Sequence, residues 1–274
     1  MKPILFLGDS HLSRLEKAYL ERKANDAVFL CTPGPISNLV GFSGGRIFVK
    51  EQREYLKNHP QAKQYDFINW LDLTIERLSK ITETTGVELS GYSAVVIVSY
   101  QIFNPEVWAE AALAYTRGQI STQVWKKHCG SNFTLNHSLR NSLHFKLLDE
   151  IKQSTDYPKI FSVATPARIA ESDFPRALLN NRETGHEAFR VAETQYASLI
   201  LEKYGSELVP YPDSLLSDDG LCTSQQFQNS KGDYTHLNIE GSRLWLSAIT
   251  AYINHSNTLV KDHRLTPVAS LGGM

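Results

Sequence analysis

Two short segments, one near each end of the chain, hold residue types capable of nucleophilic chemistry. Gly8-Asp9-Ser10-His11 follows an apolar run at residues 3–7 and precedes a helical pattern beginning near Leu12. A serine at a strand-to-helix junction has its own backbone N–H at the helix N-terminus, aimed at developing negative charge. Towards the other end, Gly232-Asp233-Tyr234-Thr235-His236-Leu237-Asn238 precedes Glu240-Gly241 and the last helical pattern. Asp233 and His236 sit in a segment rich in turn formers, so a loop or a single helical turn can bring both side chains to one place. A hydroxyl nucleophile needs a base for its proton and a carboxylate that holds the imidazole in the right tautomer. Ser10, His236 and Asp233 are the residues of those types. Each segment also has a plainer reading. Ser10 or Asp9 can simply cap the helix that follows. Asp233 or Thr235 can cap the last helix, with His236 a surface residue.

The elements that must position these residues are legible as alternating patterns. Apolar runs at 3–7, 27–31, 94–99, 159–164 and 207–209 are continuous rather than alternating, which suits strands covered on both faces. Helical patterns occupy 12–22, 67–82, 182–204 and 239–254; in the second, Ile68, Leu71, Ile75 and Leu78 recur at three- and four-residue spacing. This alternation predicts an α/β, doubly wound, mostly parallel sheet sandwiched by helices. Residues 41–49 (GFSGGRIFV) predict a turn between two short extended segments. Residues 105–153 form a mostly helical insertion that carries Trp108, Tyr115, Trp125, His128, His137 and His144. The organisation expected is one domain over 1–256 and a loosely packed tail over 257–274.

Composition narrows the classes. The 274 residues are 42% hydrophobic and 21% charged, enough apolar material for a core without metals or disulfides. A net charge of −1 offers no broad basic field for nucleic acid or anionic membrane. Cys31, Cys129 and Cys222 are odd in number and widely spaced, so no zinc, redox or disulfide framework is implied. Cys31 reads as a buried small hydrophobe. No stretch approaches transmembrane length, and the N-terminus has too short an apolar run for a signal peptide. The expectation is a soluble cytoplasmic protein that needs no cofactor and no metal, with its oligomeric state open.

Together the two reactive segments resemble the SGNH (GDSL-like) hydrolase family, where a Gly-Asp-Ser block opens the first strand–helix unit and an Asp-x-x-His block precedes the last helix. Residues 233–241 match through the trailing Leu237-Asn238 and Gly241. Residues 210–221 (PYPDSLLSDDGL) resemble the approach to that block, and 163–166 (VATP) the exit of the fourth strand. The resemblance spans residues 4–253 apart from the insertion. It implies a flavodoxin-like three-layer fold and acyl transfer, with Ser10 attacking an ester, His236 taking its proton and Asp233 orienting His236. It also implies an oxyanion hole built from the Ser10 N–H, a second-block glycine and a third-block asparagine. Gly34, in Thr32-Pro33-Gly34-Pro35, matches the glycine best; its alternative is a plain Pro-Gly turn, and Gly44 and Gly45 match less well. The third block departs from the family pattern, reading Ser99-Tyr100-Gln101-Ile102-Phe103-Asn104-Pro105. Register puts Gln101 at the asparagine position, and its amide can donate the same bond. Asn104 stands three residues late, where Asn before Pro is a good helix start. His11 in place of leucine resembles SGNH domains of polysaccharide O-acetylation and deacetylation systems, which makes an O-acylated carbohydrate or a small ester the expected substrate. Two other functions share these residues: an O-acyltransferase using the same triad, and a weakly active or inactive module that keeps the fold for binding.

Overall fold

The computed structural model describes residues 2–22, 24–85, 88–98, 114–115, 117–125, 127, 143–151, 158–163, 204–218, 223–231, 233 and 236–264. Among them are seven strands: β1 (Ile4–Gly8), β2 (Ala27–Cys31), β3 (Val40–Ser43), β4 (Arg46–Val49), β5 (Ala94–Val98), β6 (Lys159–Val163) and β7 (Glu207–Val209). The helices are α1 (Ser10–Leu20), α2 (Arg53–Lys57), α3 (Phe67–Thr85), α4 (Leu143–Ile151) and α5 (Ile239–Arg264).

The five apolar runs pair into one parallel sheet, ordered β2-β1-β5-β6-β7. Along that sheet the chain order is second-first-third-fourth-fifth, the flavodoxin-like doubly wound arrangement. Both faces are covered, which is why the runs carry no polar alternation. Leu5, Leu7, Val95, Ile97 and Ile160 face a layer that includes Ile81 of α3 and Leu147 and Leu148 of α4. Phe6, Val96, Val98, Phe161 and Val163 face Leu12 and Leu15 of α1 and Trp245, Ile249 and Ile253 of α5. The fold is therefore the expected α/β three-layer sandwich. Residues 41–49 form the expected hairpin, β3 against β4, with Gly44 and Gly45 at positive φ in its turn.

α1 and α5 pack side by side on one face, pinned by the Glu21–Arg243 ion pair and by Arg22 donating to Ser247 Oγ. These contacts tie the end of α1 to the first turns of α5, and the residues just before α5 reach the start of α1, so the two reactive segments meet although 226 residues separate Ser10 from His236. α5 continues to Arg264, ten residues past its expected end. The expected helix at 182–204 lies outside the described residues except for Tyr204. In the insertion, Trp125 is fully buried among the residues under the sheet and stacks on Tyr115 with ring centroids 5.7 Å apart. That packing accounts for both rings. Trp108, His128, His137 and the side chain of His144 lie outside the described residues.

The hinge between β1 and α1 depends on Gly8. A methyl group there would stand 2.8 Å from Leu12 Cβ and 2.8 Å from the Val98 carbonyl oxygen. Both are held by the core, so neither can give way cheaply. Gly8→Ala is expected to destabilise the protein by about 1–3 kcal/mol, the usual cost of overpacking. The check is a urea melt at unchanged m-value. A midpoint equal to the parent's would mean that β1 and β5 spread freely at this edge.

Candidate active site

Ser10 is the first residue of α1, but it does not cap that helix. Asp9 does: its carboxylate accepts from the His11 backbone N–H at 3.0 Å, and its carbonyl accepts from Leu12 N at 3.1 Å. The Ser10 side chain is thereby left for another partner. It stands just beyond the carboxyl end of β1, which pairs with β2 on one side and β5 on the other. In open α/β sheets this switch point is where ligands bind.

Asp233 and His236 are held by the residues on either side of them. Gln228 and Leu237 form an antiparallel bridge, Asn229 N donates to the His236 carbonyl at 3.1 Å, and Asn238 N donates to the Phe227 carbonyl at 2.7 Å. Asn238 then starts α5, its side-chain oxygen accepting from Gly241 N at 2.9 Å. The capping role open to Asp233 in the sequence thus falls to Asn238. Gly241 lies tight on Phe227, where a methyl would stand 3.0 Å from its Cβ, so Phe227 is pressed against the start of α5.

These two constructions bring Ser10, His236 and Asp233 into one line. His236 Nε2 lies 2.9 Å from Ser10 Oγ. His236 Nδ1 lies 3.0 Å and 3.2 Å from the two Asp233 carboxylate oxygens. Asp233 also accepts from the His236 backbone N–H at 3.1 Å and from Asn229 Nδ2 at 3.0 Å. Burial alone would raise the Asp233 pKa, but these hydrogen bonds and the neighbouring imidazole outweigh it and bring the carboxyl down to about 2. The group is a carboxylate at neutral pH.

Two contributors carry no sequence signal of their own. Asn229 fixes the rotation of the Asp233 carboxylate, and nothing in its type or spacing marks it. His11 reads from sequence only as a clue to substrate. In the fold its ring is 8% exposed and lies against His236, with ring centroids 4.9 Å apart at 38°. Burial lowers the His11 pKa against the opposing pull of Asp9, so His11 packs beside His236 as a neutral ring.

Gly34 opens a short 3-10 helix (Gly34–Asn38) directly after β2. Its φ of 54° is in the left-handed region, which explains glycine at this position. The turn is tied to the reactive one. Thr32 donates to the Gly8 carbonyl through N at 2.7 Å and Oγ1 at 3.2 Å, and Cys31 Sγ donates to the Asp9 carbonyl at 3.0 Å. Gly44 and Gly45 belong to the separate β3–β4 hairpin. Gln101 and Asn104 lie outside the described residues. Among the described residues no cluster of three or more His, Cys, Asp or Glu side chains could hold a metal ion, and no helix is long and apolar enough to cross a membrane.

No protein-family model and no curated protein matches the chain. Solved structures similar to it share its fold at low identity. A Streptococcus pneumonia protein provisionally described as a platelet activating factor is 13% identical over 92% of this chain and 84% of its own, with a TM-score of 0.45. A GDSL-like lipase from Bacteroides thetaiotaomicron is 12% identical over 93% and 89%, with a TM-score of 0.41. The lipase Lip_vut3 from a goat rumen metagenome is 12% identical over 92% and 97%, with a TM-score of 0.36. Likenesses this distant name neither a substrate nor a reaction; the chemistry rests on the residues.

Proposed function

We propose that the chain is a serine ester hydrolase in which Ser10 is the nucleophile, His236 the general base and Asp233 the group that orients His236. The observation that carries this reading is the continuous relay of contacts from Ser10 Oγ through both nitrogens of His236 to the Asp233 carboxylate. Ser10 Oγ attacks the ester carbonyl as its proton passes to His236 Nε2. The bond to the alcohol oxygen then breaks, and Nε2 returns the proton to that oxygen, leaving an acyl group on Ser10. Water, deprotonated by the same nitrogen, attacks the acyl carbonyl; the bond to Ser10 Oγ breaks, Nε2 returns the proton to Oγ, and the carboxylic acid leaves. Asp233 stays ionised throughout and favours the tautomer that keeps the proton on Nδ1.

The backbone N–H groups of Ser10 and Gly34 are the oxyanion donors in this scheme. Gln101, or failing it Asn104, supplies the third. One such donor is worth about 3–4 kcal/mol of barrier. The substrate is a small ester; the Gly8–His11 block favours an O-acylated carbohydrate, and the same acyl-enzyme could pass its acyl group to a sugar acceptor. The working organisation is a single domain with its insertion at 105–153, and the last helix extends through residues 257–264, the first part of the expected tail.

A fluorophosphonate probe tests the reading directly. One adduct per chain is expected, on Ser10 after digestion and mass analysis. Its rate should rise with pH with a slope of one proton on the acid side, as a single general base requires. Asp233 adds no second proton there, because its carboxyl is already ionised above about pH 2. An adduct at any other residue, or none, removes Ser10 from its role; a two-proton limb removes Asp233 from its own. The same lowered carboxyl pKa stabilises the fold above its ordinary value, and that contribution fades as pH falls through about 2.

A further inference from the structure

We infer that an aromatic strip beside Gly34 is the subsite for the alcohol part of the substrate, and that it takes a polyhydroxylated ring such as a pyranose. The inference rests on the proposed ester hydrolysis for the word substrate, but its site is defined independently. Phe67 is 3% exposed and anchors the strip. Tyr65 stacks along it at 5.8 Å and 29°, and Trp70 stands across both rings, 5.2 Å from Phe67 and 5.6 Å from Tyr65. Tyr65 is 46% exposed, so part of its ring is open to solvent.

The strip connects two places. At one end, Phe67 and Trp70 lie against Gly34: a methyl on that glycine would touch both rings at 3.6 Å. Gly34 is two residues from Thr32, which is bonded to Gly8, two residues before Ser10. At the other end, Tyr65 and Phe67 line an open cavity of about 400 Å³, a volume within the range of small-ligand sites. Ser10 does not line that cavity, so it suits the part of a substrate that does not react.

The chemistry of the rim selects the ligand. Lys63, Gln64 and Asp66 border the cavity with exposed polar groups. A long acyl chain would gain nothing from them and would want an enclosed apolar channel. A pyranose presents one apolar C–H face to a ring such as Tyr65 while its hydroxyls reach an ammonium, an amide and a carboxylate around the edge.

The test uses the full chain with two readouts. In Ser10→Ala protein, titration with a methyl glucopyranoside carrying one O-acetyl group should move the indole N–H resonance of Trp70, assigned through Trp70→Phe. The buried indoles of Trp125 and Trp245 should stay in place. In the parent enzyme, the ratio of kcat/KM on that ester to kcat/KM on ethyl acetate should fall about tenfold in Tyr65→Ala and in Trp70→Phe, mainly through KM on the sugar ester. A Trp70 resonance that does not move, or ratios within twofold of the parent, overturns the subsite while leaving the hydrolase reading intact. If cyclohexyl acetate moves Trp70 at equal concentration, the strip takes an apolar ring and the polyol assignment is wrong. If the parent hydrolyses neither ester, the hydrolase reading falls, and the titration alone decides whether the ring site exists.

Discussion

Ser10→Ala is expected to lower ester turnover by about ten-thousandfold or more, with the melting temperature close to the parent's. The size follows from the unit in which Ser10 acts: removing the nucleophile of a serine hydrolase forfeits nearly all that the three residues achieve together. The unchanged stability follows from the local structure. Ser10 stands first in α1, yet Asp9 provides the cap through its carboxylate and its carbonyl. The Ser10 hydroxyl is half-buried, and the contact it loses is the one to His236 Nε2. That nitrogen is on a ring about one quarter exposed, so water can replace the serine without a large penalty. Turnover on an aryl acetate and a thermal melt separate the two expectations. Wild-type turnover would exclude Ser10 as nucleophile. Lost turnover with a collapsed melt would make the hydroxyl structural.

The fold is readable because a fully covered parallel sheet writes itself into sequence as apolar runs spaced by helices. β1, β2, β5, β6 and β7 lie within a residue of those runs at each end. The hairpin at residues 41–49 is readable from its paired glycines, which sit at positive φ. Helix ends are less so. α5 runs on to Arg264, where polar residues give no signal to stop. At the candidate site, residue types are visible but their competing uses are not. Whether Asp9 or Ser10 caps α1, and whether Asp233 or Asn238 begins α5, turns on hydrogen bonds that several residues of the right type could make. Asn229 and His11 are illegible for a different reason. Each matters through a neighbour, Asn229 through Asp233 and His11 through His236, and those neighbours are identified only once Asp233 and His236 are brought to the start of α1. The strip of Tyr65, Phe67 and Trp70 is hidden likewise. In sequence it is an ordinary helix start, and only the fold lays it on Gly34.

Asp233→Asn is the second large effect expected, a loss of about ten-thousandfold in kcat near neutral pH, by analogy with the same exchange in a serine protease. The exchange is nearly isosteric, so the Gln228–Leu237 bridge should persist. What changes is the direction of one proton. Both carboxylate oxygens now face His236 Nδ1, at 3.0 Å and 3.2 Å, and accept from it. An asparagine keeps one accepting oxygen, and the two other donors sit at different positions, the His236 backbone N–H at Oδ1, 3.1 Å away, and Asn229 Nδ2 at Oδ2, 3.0 Å away. With the oxygen turned to Asn229, the new NH2 group takes the Oδ1 position and faces Nδ1 as a donor. The neutral imidazole then carries its proton on Nε2 and presents N–H, not a lone pair, to Ser10 Oγ. The base is present but cannot accept. Asn229→Ala in the same background should restore part of the loss by releasing the amide to rotate, whereas in the parent it should cost activity. Two features identify the tautomer as the cause: a normal melt, and a fluorophosphonate labelling rate that falls in step with turnover. Wild-type labelling by Asp233→Asn would mean that Ser10 is activated without Asp233, and that the carboxylate held at about pKa 2 serves only the local structure.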